Sequence, residues 1–448
     1  MTGKGKFQGL KNLAESMVRF ACAQGAEEIQ VTIVEALEFN VDVRMGKVEN
    51  LIEAGARYCG FKIIAGNKTA YATSSDLSEE TLHGLVKNAI RRAKLANPDE
   101  FSGLPPSKKY SFDKSSLDIY DPEISELETE KKIDMALETE RIALSDSRIT
   151  NSHGANFETK EMTTILANSS GFLDEYAETY CGLGVGIQAG ETDTKVEGFW
   201  SSARRHFRDL ETPEKIAKKA VERTVRLLNP RKIKTQVVPV IFEPTMTSWL
   251  LGFLFACVSG TSVYQKMSFL SDKLGEKIAG ENISVSDDGL MPGKLGTRPY
   301  DSEGVPSQET IVVEKGLLKS YLCDTYSGKK LDLASTGNAD GAGVGPNNFY
   351  LHPGNVQPEN IIQKTEKGLL LTRTIGHGLN PVTGDISRGA FGLWIENGEI
   401  AYPVAEITVA GNLGKILRQI EEVGNDLEFR NAICGPTIKV QELTVAGE

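Results

Sequence analysis

Seven apolar residues near the N-terminus alternate with other residues, and this pattern constrains the fold more than any other feature of the chain. Ile29, Val31 and Ile33, then Leu37, Phe39, Val41 and Val43, recur at period two. That period puts each set on one face of a half-buried strand. Ahead of them Leu10, Leu13, Met17, Val18 and Ala21 recur at helical spacing, and Gly25 closes that helix. Residues 61–65 and 69–73 flank Gly66-Asn67, the pattern of a hairpin. Ser78 reads as the N-cap of a helix carrying Leu82, Leu85, Ala89 and Ala93, with Leu77 and Leu82 placed as a hydrophobic staple. That helix stops near Asn97-Pro98.

Pro98, Pro105-Pro106 and Pro122 among polar residues mark a linker over 99–122, so 1–98 forms a first α+β domain. A second α+β domain spans 123–230. It opens with a charged surface helix over 123–144. Strand-like runs follow at 148–157, 162–167 and 172–188, with Asn168-Ser169-Ser170-Gly171 as a turn. Thr212-Pro213 then starts a helix running to about Leu228, with Thr as cap and Pro in the first turn. The order helix, strands, helix occurs twice. Internal duplication and common α+β punctuation both account for it, and the absence of residue identity favours punctuation.

After Pro230 the texture changes. Residues 237–242 are a buried-strand candidate, a short helix covers about 245–258, and from Ile283 onward short strands alternate with Gly, Asn, Asp and Pro. Examples are 311–313, 317–322, 369–371, 392–395 and 438–440. Glu396-Asn397-Gly398-Glu399 is a hairpin signal. The fold class is therefore α+β: units of helices and antiparallel strands, then a mostly β C-terminal domain over 231–448.

A chain of 448 residues is too long for one ordinary core. Its formal net charge of -11 repels phosphate backbones, and the basic clusters Arg91–Arg92, Arg204–Arg205 and Arg231–Lys232 are short, which argues against nucleic-acid binding. Six widely spaced cysteines without a CxxC read as thiols of a reducing cytoplasm. No apolar run of membrane-spanning length occurs, and no apolar segment follows Met1-Thr2-Gly3-Lys4-Gly5-Lys6, so neither secretion nor membrane spanning is expected.

Catalytic motifs are missing. The five histidines, at 83, 153, 206, 352 and 377, form neither HExxH nor HxxxH, and there is no GxSxG elbow or P-loop. Ser335-Thr336-Gly337 and Ser387-Arg388-Gly389 read as turns that bond their own backbone. Asp287-Asp288 beside Gly289 reads as a solvated turn. Gly182-x-Gly184-x-Gly186 lies inside a strand-like run and is no dinucleotide fingerprint. Gly341-x-Gly343-x-Gly345 looks like a flexible loop, with a substrate-facing role as the less favoured reading.

Several segments together resemble the TldD/PmbA family. Asp301-Ser302-Glu303-Gly304, Lys315-Gly316-Leu317-Leu318 and Ser335-Thr336-Gly337-Asn338 resemble its C-terminal domain. So do the run from Asn380-Pro381 to Gly389-Ala390, Trp394-Ile395-Glu396-Asn397-Gly398 and Ile407-Thr408-Val409-Ala410-Gly411-Asn412-Leu413. Arg44-Met45-Gly46-Lys47-Val48-Glu49-Asn50 and Ala72-Thr73-Ser74-Ser75-Asp76-Leu77 resemble its N-terminal domain.

The resemblance implies two branches. TldD chains carry a His-Glu-x-x-x-His helix and a later Cys that hold a metal; TldE or PmbA chains lack them. Together they form a heterodimeric protease that trims unstructured peptides, including a microcin precursor and an antitoxin, inside a closed chamber. Here the corresponding helix reads Trp249-Leu250-Leu251-Gly252-Phe253-Leu254-Phe255-Ala256-Cys257, without His, Glu or Asp, and Gly260-Thr261-Ser262-Val263-Tyr264 resembles the TldE pattern. Near the TldD cysteine this chain offers only His377.

The expectation is thus a metal-free TldE/PmbA-like subunit of a cytoplasmic peptidase. No catalytic residue, metal ligand or cofactor is assigned to this chain; zinc or another divalent metal is expected in a TldD-type partner. The isolated chain self-associating is an open alternative. Ser335, Thr336, Asn338, His377, Asn380, Asp385, Ser387 and Arg388 are the candidate substrate contacts implied by the resemblance. Two rivals stand beside this reading. One is a non-enzymatic regulator, after the family's older label, modulator of DNA gyrase. The other is a homodimeric peptidase with an unrecognised site.

Overall fold

The computed structural model describes residues 3–106, 112–191, 195–341 and 343–448. Residues 107–111 of the expected linker and position 342 of the glycine-rich loop lie outside them. The fold is α+β, with a strand-rich C-terminal half.

The first half runs α1 (Gly3–Ala23), β1 (Glu28–Arg44), β2 (Lys47–Ile64), β3 (Thr69–Ser74), α2 (Glu79–Leu95), α3 (Pro122–Glu126), α4 (Thr129–Leu144), β4 (Ile149–Asn168), β5 (Leu173–Ala189), β6 (Val196–Arg204) and α5 (Pro213–Val225). The two sets of apolar alternation belong to one strand of 17 residues. All seven positions are odd-numbered, so they share a face without a break. Six antiparallel strands in the order β3-β2-β1-β4-β5-β6 form one sheet across both halves of this region.

The order α-β-β-β-α occurs on each side of the central β1–β4 pair. Such back-to-back symmetry is what an internal duplication produces, and it adds weight to the explanation less favoured from sequence. The odd-numbered face of β1 is covered in two patches. Ile29, Val31 and Ile33 join the core holding Met17, Leu82 and Val86. Phe39, Val41 and Val43 join the core holding Ala136, Ala143 and Ile216.

Three local details differ from the sequence reading. The helix expected over 123–144 is two helices, α3 and α4, and Asp121 caps α3 by accepting from Glu123 N. It is also not a surface helix along its length: Lys132, Ala136, Thr139, Glu140 and Ala143 are buried. Both carboxylate oxygens of Glu140 accept from the backbone of the β1–β2 turn, at 2.9 Å from Met45 N and 2.8 Å from Gly46 N. Ser78 occupies the N-cap of α2 but makes no side-chain cap bond, because its hydroxyl donates to Asp76 Oδ2. Thr212 does cap α5 through Lys215 N, as expected.

The C-terminal half begins with β7 (Gln236–Phe242), α6 (Pro244–Val258) and α7 (Gly260–Tyr264). Strand β7 pairs with Lys367–Ile375 and Ile438–Ala446; the ring closes through Glu399–Asn412 and Asp385–Glu396. Five strands thus make a small barrel. The Asn397-Gly398 turn in it has both residues at positive φ, 53° and 78°, as a tight two-residue hairpin requires. A second sheet contains Val285–Asp288, Glu309–Glu314, Phe349–Leu351 and the short strands Leu317–Leu318 and Ile433–Cys434. Helix α6 is apolar on every side because it is buried among these strands, with Leu250, Leu251, Phe253, Leu254, Cys257 and Val258 all in the core. No helix among the described residues is long and apolar enough to cross a membrane.

Candidate functional site

Even-numbered residues of β1, β2 and β4 point away from the helices. Gln30, Thr32, Lys62 and Thr164 line a cavity of about 970 Å³ between the sheet and the C-terminal half. The opposite wall is residues 295–298 and 300–303, Asp324, Tyr326, Asp340 and Gly341, with Thr261 and Tyr264 of α7. Tyrosines 58, 71, 176, 264, 300 and 326 supply broad amphipathic surface.

Buried ion pairs join the two walls. Lys62 Nζ lies 2.9 Å from Glu303 Oε1, and Glu303 Oε2 accepts from Thr325 N at 2.9 Å. Burial alone would lower the Lys62 pKa, but the Glu303 carboxylate outweighs it and holds the ammonium above its ordinary value. Arg205 pairs with Glu178 at 2.7 Å and donates to the carbonyls of Thr179, Leu295 and Thr297. Gln30 Nε2 donates to Ser302 O at 2.8 Å.

Asp301 is held by three backbone amides, those of Glu303, Val305 and Ala339, each at 2.9 Å. Burial, reinforced by the nearby Glu303 charge, pushes its carboxyl up to about 7. Tyr300 packs edge-on against Phe172 and Tyr176, with ring centroids 5.0 and 5.2 Å away.

Four buried polar atoms around the cavity have no hydrogen-bond partner: Gln30 Oε1 on the sheet side, and Arg298 Nη2, Tyr300 Oη and Ser302 Oγ on the opposite side. Buried donors and acceptors left unmatched are costly. The cavity itself, roomy and lined by six tyrosines beside Lys62, Glu178, Arg205 and Glu303, suits a ligand with both apolar and polar surface, as a peptide has.

None of the eight candidate contacts from the sequence lines this cavity. Ser335 and Thr336 donate to Cys323 O, and Thr336 also donates to Asn338 Oδ1 at 2.7 Å. Asn338 is fully buried and donates to Asp287 Oδ2 at 2.7 Å and to Gly345 O at 3.0 Å. Asp287, read as a solvated turn, is in fact fully buried in a strand. His377 is exposed between two barrel strands. Asn380 Oδ1 accepts from Val382 N at 3.0 Å, and Asp385 accepts from Thr383 Oγ1 and Asn412 Nδ2. Ser387 is exposed, while the Arg388 guanidinium stacks 4.9 Å over Trp249 of α6.

The cavity residues escaped the sequence reading because even positions of a strand look like its solvent face. One signal was present: Asp301-Ser302-Glu303-Gly304 served as a family marker, and its first three residues are cavity wall. Asp340 and Gly341 also reach the cavity, from the glycine-rich loop.

The donors that a catalytic metal needs do not converge here. Among the described residues no group of three or more His, Cys, Asp or Glu side chains is placed to hold an ion. Cys257 of α6 is fully buried, and burial pushes its thiol up to about 12, far from the thiolate a metal binds. The residues present therefore do not fit the three-ligand site of a hydrolytic zinc.

Family models of the PmbA/TldA metallopeptidase match the chain in three parts: domain 1 over 30–93, the central domain over 122–228 and the C-terminal domain over 235–447. A Haemophilus influenzae protein named metalloprotease PmbA homolog is 34% identical, with 99% of this chain and 97% of that protein covered. Metalloprotease PmbA of Escherichia coli O157:H7 is also 34% identical, over 95% and 93%. Among solved structures, a Thermotoga maritima protein described as a modulator of DNA gyrase superposes with a TM-score of 0.90 at 27% identity, covering 98% of this chain and all of that one. TldE from Thermococcus kodakarensis shares the fold with a TM-score of 0.88 at 24% identity, over 97% of this chain and 100% of that one.

Proposed function

The chain belongs to the PmbA/TldD metallopeptidase family, and from that premise we propose that it is the metal-free, TldE/PmbA-like subunit of a two-chain cytoplasmic protease. Its substrates are unstructured peptides. A TldD-type partner contributes the metal and the hydrolytic water. This chain contributes a wall of the chamber, and its cavity holds peptide through backbone hydrogen bonds and tyrosine contacts.

The observation that carries this reading is α6. Where the metal-bearing branch is expected to present imidazoles, this helix packs Leu250, Leu251, Phe253 and Leu254 into a closed core. Cys257 beside them is protonated and inaccessible. Such a helix positions neighbours; it has no donor to offer an ion. The exposed barrel positions His377, Asn380, Asp385 and Ser387, with Arg388, are proposed as further contacts to peptide or partner. Ser335, Thr336 and Asn338 act in this scheme through the segments they brace.

Reconstitution tests the proposal. The purified chain is assayed on an unfolded peptide alone, with a TldD-type chain, and with that pair after chelation. The expected outcome is cleavage by the pair only, abolished by chelator. Chelator-resistant cleavage by this chain alone would overturn it. The regulatory rival rests on the gyrase-related name of solved relatives. Capture of gyrase without any TldD-type chain would favour that rival.

A further inference from the structure

A second cavity, of about 560 Å³, lies where β6 and the end of α5 face the start of α6 and the barrel strand Lys367–Ile375. In a chain of net charge -11 its lining is basic. Arg223, Arg226, Arg373 and Arg430 all line it, against one carboxylate, Glu197. These four side chains keep between 16 and 42% of their surface exposed, so none is sealed in the core.

Their charge is incompletely balanced from behind. Arg430 pairs with Glu211 at 2.8 Å and with Glu428 at 3.0 Å, and Glu428 also serves Arg204. Arg373 approaches Glu197 only to 3.9 Å. Arg223 and Arg226, about one turn apart at the end of α5, share the single carboxylate of Glu243, at 2.9 and 2.6 Å. Two guanidinium groups on one carboxylate leave a positive charge over. Burial and the Arg226 charge pull the Arg223 pKa below its ordinary value despite Glu243. The first turn of α6, through Thr245 and Met246, adds the positive end of a 15-residue helix.

The rest of the lining supplies apolar surface. The Trp200 ring lies 4.1 Å from the Arg430 guanidinium and 5.1 Å from that of Arg223, contacts that fix both arginines. Phe199 is 59% exposed, and Leu227 and Met246 also line the cavity. The volume falls within the range of small-molecule sites.

We propose that this cavity binds an organic carboxylate with an apolar or aromatic group beside it, the carboxylate on Arg223 and Arg226 and the apolar group against Phe199 and Met246. A carboxylate carries the single charge that is missing, and its two oxygens match the guanidinium fork. Arg148 holds Asp146 in that way elsewhere in the chain, at 2.9 and 2.7 Å. A phosphate group, with nearly two charges, overshoots the balance. Free small acids and the C-terminus of a peptide ending in an apolar residue share the required chemistry. No residue lines both cavities, so the inference stands apart from the peptide site and from the division of metal chemistry proposed above.

Calorimetric titration of the full chain with 3-phenylpropionate, its amide and inorganic phosphate tests it. The acid is expected to saturate one site, with the amide and phosphate each weaker by roughly tenfold or more. A short peptide ending in phenylalanine, with its C-terminus free or amidated, separates the two sources. Binding of the free-ended peptide as well as the acid assigns the site to chain ends; binding of the acid alone assigns it to small acids. Arg226→Gln should weaken acid binding by roughly tenfold or more. Glu197→Gln, which removes the one carboxylate of the lining from an exposed position, should tighten it, a result that damage to the fold does not produce. No saturable binding of acid or peptide, an amide as tight as the acid, or phosphate tighter than both would overturn the proposal. So would unchanged affinity in Arg226→Gln, or unchanged or weaker affinity in Glu197→Gln.

Discussion

Replacing Asn338 by alanine separates a strut from a substrate contact. Its amide donates 2.7 Å to the Asp287 carboxylate and 3.0 Å to Gly345 O, with no exposure to solvent. A hydrogen bond to a buried charge contributes about 1.5–3 kcal/mol and a neutral one about 1 kcal/mol. Asn347 still donates to Asp287 from its backbone at 2.9 Å and its side chain at 3.0 Å, so the carboxylate is not abandoned. The expected loss at pH 8 is therefore about 3 kcal/mol.

The pH dependence of that loss has a definite sign. Burial pushes Asp287 up to about 6 despite its three donors. At pH 8 it is ionised and loses a charge-assisted bond in the variant. At pH 5 it is protonated in the folded state and loses a weaker one, so the cost is smaller. Urea unfolding of wild type and Asn338→Ala at both pH values measures this. A change below about 0.5 kcal/mol at pH 8, or a greater cost at pH 5, would refute the reasoning. Weakened peptide binding at unchanged stability would instead make Asn338 a contact.

Other outcomes follow from the same geometry. Asp287 and Asp301 have folded pKa values raised to about 6 and about 7, so the folded state holds their protons more tightly than the unfolded one. Their contribution to stability is greatest below about pH 4 and declines as pH rises to about 7; in Asp301→Asn the thermal midpoint should fall less steeply between pH 5 and 7. Glu140→Ala removes both acceptors from the β1–β2 turn and should cost about 2–3 kcal/mol in a denaturant titration; an unchanged midpoint would show that the turn holds itself. Cys59, Cys181, Cys257 and Cys323 are fully buried and pushed up to about 12, and Cys22 alone is exposed. A thiol reagent at pH 8 should label one group quickly in the native chain, lose that phase in Cys22→Ser, and label all six after denaturation.

Where the local pattern was continuous, the sequence was readable. The odd-numbered run from Ile29 to Val43, the Gly66-Asn67 and Asn397-Gly398 turns and the Thr212 cap all appear in the structure. The break between α3 and α4 was not readable, because Leu127-Glu128 contains neither Gly nor Pro. Strand β6 was missed because its exposure follows no clean alternation. Barrel closure depends on Lys367–Ile375 lying parallel to β7 and antiparallel to Asp385–Glu396, a choice that neither strand's own pattern encodes. The cavity drew its walls from segments hundreds of residues apart, and its polar residues had been counted as solvent-facing. Asn338 shows the reverse problem: a polar residue in a family motif looked like a contact and is a buried brace.

The metal content of the purified chain bears most directly on the role assigned to it. Elemental analysis after equilibration with zinc, manganese and nickel, followed by gel filtration, should find far less than one ion per chain, and a His377→Ala variant should match the wild type. One tightly held ion per chain, lost on that substitution and required for peptide cleavage by this chain alone, would contradict the account.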